Sequence, residues 1–201
     1  MRITRASRDA VTYSCLNFHY AKCIPIYLYA YNIYNDFNEW CGCILFGLGF
    51  NIAIPNMLNC ISGTCLELQR VALNGKQDHN ATSKAVAIAM HELKKDAVLL
   101  RCLYSYADTG QNHTGIIYQA TNWIYLGISK GDTYYEKDGK KQHRRSINQL
   151  KKRLNNKYTI TEMGFLSVRV ADKYLYVYPF DKKLKKEFLL KQKPYPKKEL
   201  V

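Results

Sequence analysis

The run Tyr106-Ala-Asp108-Thr-Gly-Gln-Asn112-His113-Thr-Gly-Ile-Ile-Tyr118-Gln-Ala-Thr-Asn-Trp123 concentrates side chains able to move protons or stack on a ring. Asp108 ends an apolar stretch that reads as a strand, the end at which α/β sheets place reactive groups. A carboxylate there, partly out of water, suits a general base; it equally suits a cap on the turn that follows. His113 reads as acid, base or ligand, or as a turn histidine. Tyr118 reads as a donor to a reacting group, or as a core tyrosine. Arg70 is the odd member of an apolar segment. Period two places it on the face of Leu66 and Leu68, where a guanidinium needs an anion from the protein or from a ligand. Ser83 opens a helical run and reads as its N-cap, where backbone N–H groups and the helix dipole also suit a phosphate.

These side chains need elements to hold them. Residues 1–25 read as a helix ending before Pro25, and Cys41 to Phe50 as a buried strand. Ile52 to Ser62 reads as loop, Thr64 to Leu73 as a strand by its alternation, and Ala81 to Lys95 as the clearest helix. Val98 to Tyr106 and Trp123 to Ser129 read as strands, with a short helix across Thr114 to Ala120 between them. The order predicts an α+β fold, a mixed sheet flanked by helices. Within Lys137 to Lys157, Ile147, Leu150 and Leu154 fit an amphipathic basic helix; Thr159 to Pro179 reads as a hairpin. A lysine-rich tail begins at Lys182.

At 201 residues the chain is read as one domain, with its core at about 10–130, a basic helix and hairpin at about 137–180, and the tail at 182–201. Hydrophobic residues make up 47% and charged ones 23%, which excludes wholesale disorder. The longest apolar stretch, Trp40 to Phe50, has 11 residues, short of the roughly 20 that a membrane helix needs. The N-terminal residues lack the apolar segment of a secretory signal, so a soluble, intracellular protein is expected. Tyr195 and two prolines make the tail a poor membrane helix, and no membrane partner is expected. Seven cysteines then read as buried thiols; neither Cys41-x-Cys43 nor Cys60-x4-Cys65 is a zinc knuckle.

Thirty Lys and Arg against sixteen Asp and Glu leave a net charge of +14, a field that attracts a polyanion. Nine basic residues against one Asp stand in Lys137 to Lys157, and eight lysines against one Glu in Lys182 to Lys198. Lys140, Lys141, Arg144, Arg145, Lys151, Lys152 and Arg153 are the expected contacts to such a polyanion, nucleic acid or an anionic membrane surface. Seventeen tyrosines offer rings that can stack on bases.

Together, His19-Tyr20, Leu66-Glu-Leu-Gln-Arg70-Val, Ala81-Thr82-Ser83 and the long block from Tyr106 to Gly127 resemble the phage Mom-type DNA adenine modification proteins. The resemblance covers about residues 10–130. It implies a GNAT-like acyltransferase fold and conversion of adenine N6 in DNA to a carbamoylmethyl-type derivative that shields phage DNA from host restriction. It implies an acyl-CoA, acetyl-CoA or a relative, as cofactor, with iron associated with the family, and double-stranded DNA as the partner of the seven basic residues above. It implies action in the cytoplasm of the infected bacterium and leaves the oligomeric state open, a dimer included. The implied catalytic positions are His19, Tyr20, Asp108 and Tyr118, with Arg70, Ala81, Thr82 and Ser83 toward the cofactor and His19 and Asp108 toward iron. Asn112 stands where the family has glycine, and Asn74 to Asn80 lacks the glycine-rich pyrophosphate loop of ordinary GNAT enzymes. The rival readings are an acyltransferase on a protein or RNA amine, and a DNA-binding protein without catalysis.

Overall fold

Aromatic and β-branched residues at alternate positions build the sheet that carries the site. The computed structural model describes residues 1–49, 51, 53–76 and 80–197. Strands β1 (Arg2–Arg5), β2 (Tyr29–Tyr34), β3 (Trp40–Gly47) and β4 (Cys65–Leu73) pair antiparallel in succession. Strand β5 (Cys102–Asp108) joins β4 in parallel. With β6 (Ile124–Ser129) and β10 (Lys173–Pro179) the sheet has seven strands in the order β1-β2-β3-β4-β5-β10-β6. A second sheet holds β7 (Thr133–Lys137), β8 (Lys140–His143) and β9 (Leu166–Arg169), in the order β8-β7-β9. The mixed sheet with helices on its faces is the expected α+β class.

Helices cover both faces of the large sheet. Helix α1 (Arg8–Phe18), capped by Ser7, buries Val11 and Cys15 against Ala30, Cys43 and Leu45. Helix α3 (Ala81–Asp96) buries Ala85, Val86, Ala89, Met90 and Leu93. Tyr31, next to Ala30 in β2 and so on the opposite face, donates its hydroxyl to Asp96 at the end of α3 at 2.6 Å. The α1 face also receives α2 (Ile54–Met57) and α6 (Lys182–Lys191), through Ile54, Leu58, Leu184 and Phe188 against Cys65, Cys102 and Tyr104. A short helix, α4 (Ile116–Ala120), starts at Gly115, whose φ of +81° favours glycine. A Cβ there would also lie 2.4 Å from the Tyr176 ring.

The chain divides into two compact units. One comprises Met1–Tyr106, Gly115–Gly127 and Leu175–Val201; the other comprises Ala107–Thr114 and Ile128–Tyr174. In the second unit, α5 (Arg144–Arg153) packs Ile147 and Leu150 against Tyr135 and Phe165.

Four expectations need correction. The first 25 residues are not one helix: Arg2–Arg5 pairs with Tyr31–Tyr34 as an edge strand before α1 begins. Thr159 to Pro179 is not a hairpin, because β9 pairs with β7 while β10 lies between β5 and β6. The lysine-rich tail, read without an element, begins as α6 (Lys182–Lys191). Asp181 caps α6 by accepting from the Lys183 and Leu184 N–H groups, and Leu184 and Phe188 enter the core. The stretch Ile52 to Ser62 holds a turn of helix, with Pro55 in the first turn, where its missing N–H costs nothing. Among the described residues no helix is long and apolar enough to cross a membrane. All seven cysteines are free, and every one but Cys23 is buried.

Candidate active site

Strands β4 and β5 start side by side and then part. Their parallel register runs only from Cys65 opposite Cys102 to Glu67 opposite Tyr104, although β4 continues to Leu73. At the parting, Gln69 is an extra residue in β4: Phe46 pairs with Leu68, and Leu45 already pairs with Arg70. This bulge reverses the alternation. Arg70 therefore shares the face of Leu45, beneath α1, and not that of Leu66 and Leu68 as strict period two requires. Its guanidinium donates to the Gln69 carbonyl at 2.7 Å and to Cys23 Sγ at 3.4 Å. Among the described residues no carboxylate pairs with it, and Arg70 Nε and Gln69 Oε1 are buried without hydrogen-bond partners. Two orphaned polar atoms, a donor and an acceptor on successive residues at a gap in a sheet, are what a polar ligand would satisfy.

Tyr118 of α4 reaches the same gap. Ser105 on β5 donates its hydroxyl to the Leu68 carbonyl at 2.7 Å, and Tyr118 Oη lies 2.8 Å from Ser105 Oγ. A serine has one proton to give, so Tyr118 donates to Ser105 and keeps its lone pairs as acceptors. The Tyr118 proton is thereby committed to Ser105, and the side chain is buried, as the reading of a core tyrosine requires. Burial, with the charges of Glu67, Tyr20 and Tyr176 nearby, pushes the Tyr118 phenol up to about 12; the Ser105 bond opposes this in part. Tyr20, half exposed, stacks on His19 with centroids 4.4 Å apart, and His19 Nδ1 accepts from the Ala21 N–H. His19, Tyr20 and Tyr118 thus gather near the gap.

Sequence reasoning missed Glu67, the one acid in β4. It sits at the last paired position of β4 and β5, beside the Tyr104 hydroxyl, which donates to the Leu48 carbonyl. Burial and the Glu67 carboxylate push the Tyr104 pKa up. The one acid of a strand whose other polar members are Gln69 and Arg70 was the available signal.

Asp108 belongs to the second unit. Its carboxylate accepts from the Gly110 N–H at 2.9 Å, capping a single 3-10 turn over Thr109–Gln111, and its carbonyl accepts from the His113 N–H. Asn112, at φ +55°, supplies the left-handed conformation that a glycine would give, so this departure preserves the turn.

Ser83 is not the N-cap of α3. That position is Asn80, at φ +65° with no side-chain cap bond, and the Ser83 hydroxyl donates back to the Asn80 carbonyl at 2.8 Å. Ala81, Thr82 and Ser83 form the first turn, whose N–H groups find no partner inside a helix. A cavity of about 520 Å³ opens beside this turn, lined by Asn80, Ser83, Lys84, His91, Asn122 and Tyr178 among others. Its size is that of a ligand site. The donors of the α3 turn and the orphaned atoms at the strand gap fit a long ligand with anionic and amide groups, as an acyl-CoA is.

The two residues expected to hold iron each have one ligating atom in a local hydrogen bond. His19 Nδ1 is taken by the Ala21 N–H, and Asp108 Oδ1 by the Gly110 N–H. Among the described residues one trio of potential ligands is brought together, the buried Cys60, Cys65 and Cys102, with sulfurs within 4.8 Å of one another. They lie in the apolar core under α2 and α6, where thiols pack as small hydrophobes.

All seven expected DNA contacts lie in the second unit: Lys140 and Lys141 on β8, and Arg144, Arg145, Lys151, Lys152 and Arg153 on α5. All are exposed except Lys151, which is half-buried.

Comparison with known proteins places this geometry. Solved structures of similar fold include a Bacillus subtilis acetyltransferase in complex with CoA (TM-score 0.50, 11% identity, covering 89% of this chain and 98% of that one). They also include the spermidine/spermine N-acetyltransferase of Vibrio cholerae in complex with manganese ions (TM-score 0.51, 8% identity, 92% and 95%). The chain is 28% identical over 136 residues to the methylcarbamoylase Mom of Escherichia phage Mu. That match takes in 66% of this chain but spans 56% of the length of the relative. The model of the Mom protein family matches residues 1–197, and on that extent this chain, with its acetyltransferase-type fold, belongs to the Mom protein family.

Proposed function

We propose that the protein is a transferase that modifies phage DNA, acting on the N6 amino group of adenine to give a carbamoylmethyl-type derivative that protects the DNA from host restriction. Membership of the Mom family across residues 1–197 is the observation that carries this reading. The name of the phage Mu relative, a methylcarbamoylase, supports group transfer of this class. A neighbouring fold in complex with CoA supports an acyl-CoA donor, acetyl-CoA or a relative, in the cytoplasm of an infected bacterium.

When bound, the acyl-CoA would supply a two-carbon acyl group with the CoA thiol as leaving group. Simple transfer of that group to N6 gives an acetyl adduct, so the carbamoyl nitrogen of the proposed product requires a second co-reactant, an amine donor. The CoA phosphates would be held by the first-turn N–H groups of Ala81, Thr82 and Ser83, and an anionic part by Arg70, whose Nε has a bond left to give. Adenine N6 is a poor nucleophile because its lone pair is delocalised into the ring, so its proton must be taken as the new bond forms. Asp108 is the proposed acceptor, and Glu67, beside Tyr118, is the rival carboxylate. Tyr118 Oη would accept from the amino group, and Tyr20, with His19 stacked behind it, would lie on the extruded base. Lys140, Lys141, Arg144, Arg145, Lys151, Lys152 and Arg153 would hold the duplex through its phosphates.

The test is mass spectrometry of nucleosides from plasmid DNA after expression in bacteria. A heavier deoxyadenosine is expected, absent with Asp108→Ala. If Asp108→Asn keeps the adduct and Glu67→Gln loses it, the proton acceptor is Glu67. Unmodified DNA from cells holding folded protein would overturn the reading in favour of a protein or RNA amine as substrate, or of DNA binding without catalysis.

A further inference from the structure

Phosphate attraction accounts for the lysines and arginines of the second unit, but not for what stands between them. Helix α5 turns Ile147, fully buried, and Leu150 inward against Tyr135 and Phe165. Its outer face carries Arg144, Arg145, Asn148, Gln149 and Lys152, which with Asp132 line a concavity of about 390 Å³. Positions i, i+1, i+4, i+5 and i+8 make one continuous stripe on a helix. Asn148 and Gln149 are exposed at its centre, with arginines one turn before them and a lysine after.

Carboxamides add no charge, so they do little for attraction to a polyanion. What they offer is a planar donor and acceptor side by side, the complement of adenine N6–H and N7 in the major groove. A helix about 10–12 Å across fits a major groove about 12 Å wide. Cations framing such a helix fix it on the backbone and let the central side chains reach base edges. Asp132, 3.9 Å from Arg144, fits the same function, since a carboxylate can accept from cytosine N4. No acidic residue interrupts α5 itself.

We propose that α5 is the sequence-reading element of this protein, with Asn148 and Gln149 hydrogen-bonding base edges of the bound duplex while Arg144, Arg145 and Lys152 grip phosphates. The inference rests on the DNA reading above and adds a residue-level origin for sequence context.

Selection of bound duplexes from a randomised pool, using the full-length protein, tests it without requiring chemistry. The wild type should enrich a short motif. Asn148→Ala and Gln149→Ala, both at exposed positions, should each weaken the preference at one base pair by about 5- to 150-fold while still binding. Lys152→Ala should weaken all sequences alike. Either a wild type that binds without enrichment, or amide variants that enrich the unaltered motif, overturns the proposal. Assaying the same preparations for the deoxyadenosine adduct separates the two readings. Enrichment without adduct defeats only the proposed chemistry. An adduct with no motif, or a motif the amides do not affect, defeats only the role of α5. A wild type that binds no duplex defeats both.

Discussion

Tyr118 illustrates how one proton decides a role. With Ser105 Oγ committed to the Leu68 carbonyl, the tyrosine must donate to Ser105, and its phenol is neutral across the physiological range. A pH–rate limb below about 10 therefore belongs to another group. The linkage has a definite sign: burial raises the folded-state pKa to about 12, above the ordinary tyrosine value of about 10. Below pH 10 both states keep the proton, and stability does not depend on it. Between about 10 and 12 only the unfolded chain releases it, so stability falls, by an amount of order 2 kcal/mol from this one group. Urea midpoints measured at pH 9 and pH 11 should show the decline, and Tyr118→Phe should make it shallower. It will not vanish, because burial also pushes Tyr31 and Tyr104 upward. Little of this was legible in the sequence. Tyr118 could be singled out by its place in the block, but the direction of its hydrogen bond depends on Ser105 and Leu68, which lie 13 and 50 residues away in the chain.

At the scale of elements, β3, β4, β5 and β6 were legible as strands, but the bulge in β4 and the pairing of the later strands were not. The Arg70 side chain lies on the face opposite to that predicted because one extra residue, Gln69, interrupts β4, and a bulge leaves no mark in a pattern of apolar residues. The apparent hairpin at 159–179 separates into two sheets for a related reason: alternation identifies a strand but not its partner. A second irregularity lies between β3 and β4. The Ser14 hydroxyl, fully buried on α1, accepts from the Cys43 N–H at 3.0 Å and donates to the Ala72 carbonyl at 2.6 Å. It stands in for a ladder bond where Gly42, at φ +125°, brings the backbone too close for a side chain. Ser14→Ala leaves a buried N–H and a buried C=O unpaired. It should lower the unfolding free energy by about 2–4 kcal/mol, read by urea denaturation, while the fold persists. A loss under about 0.5 kcal/mol would mean that the strands close the gap themselves.

At the scale of the whole molecule, composition gave the sign of the partner and the structure gives the location of the charge. The +14 excess is a property of the chain, yet all seven expected DNA contacts fall in the second unit, while the gap between β4 and β5 and the α3 turn fall in the first. Binding and chemistry are then separable by mutation. Each phosphate neutralised releases counterions, and the logarithm of the affinity falls with the logarithm of salt with a slope of about −0.9 per contact. If all seven residues engage, the slope approaches about −6. Lys140→Ala and Arg153→Ala, at exposed positions outside the concavity of α5, should each reduce it by about one and leave the adduct chemically unchanged. Glu67→Gln and Arg70→Ala, in the first unit, should alter adduct yield without changing the salt slope. Fluorescence anisotropy of a labelled duplex between 50 and about 300 mM salt measures the slopes. A slope unmoved by Lys140→Ala and Arg153→Ala together would show that the duplex lies elsewhere, with the lysines of α6 as the next set to replace.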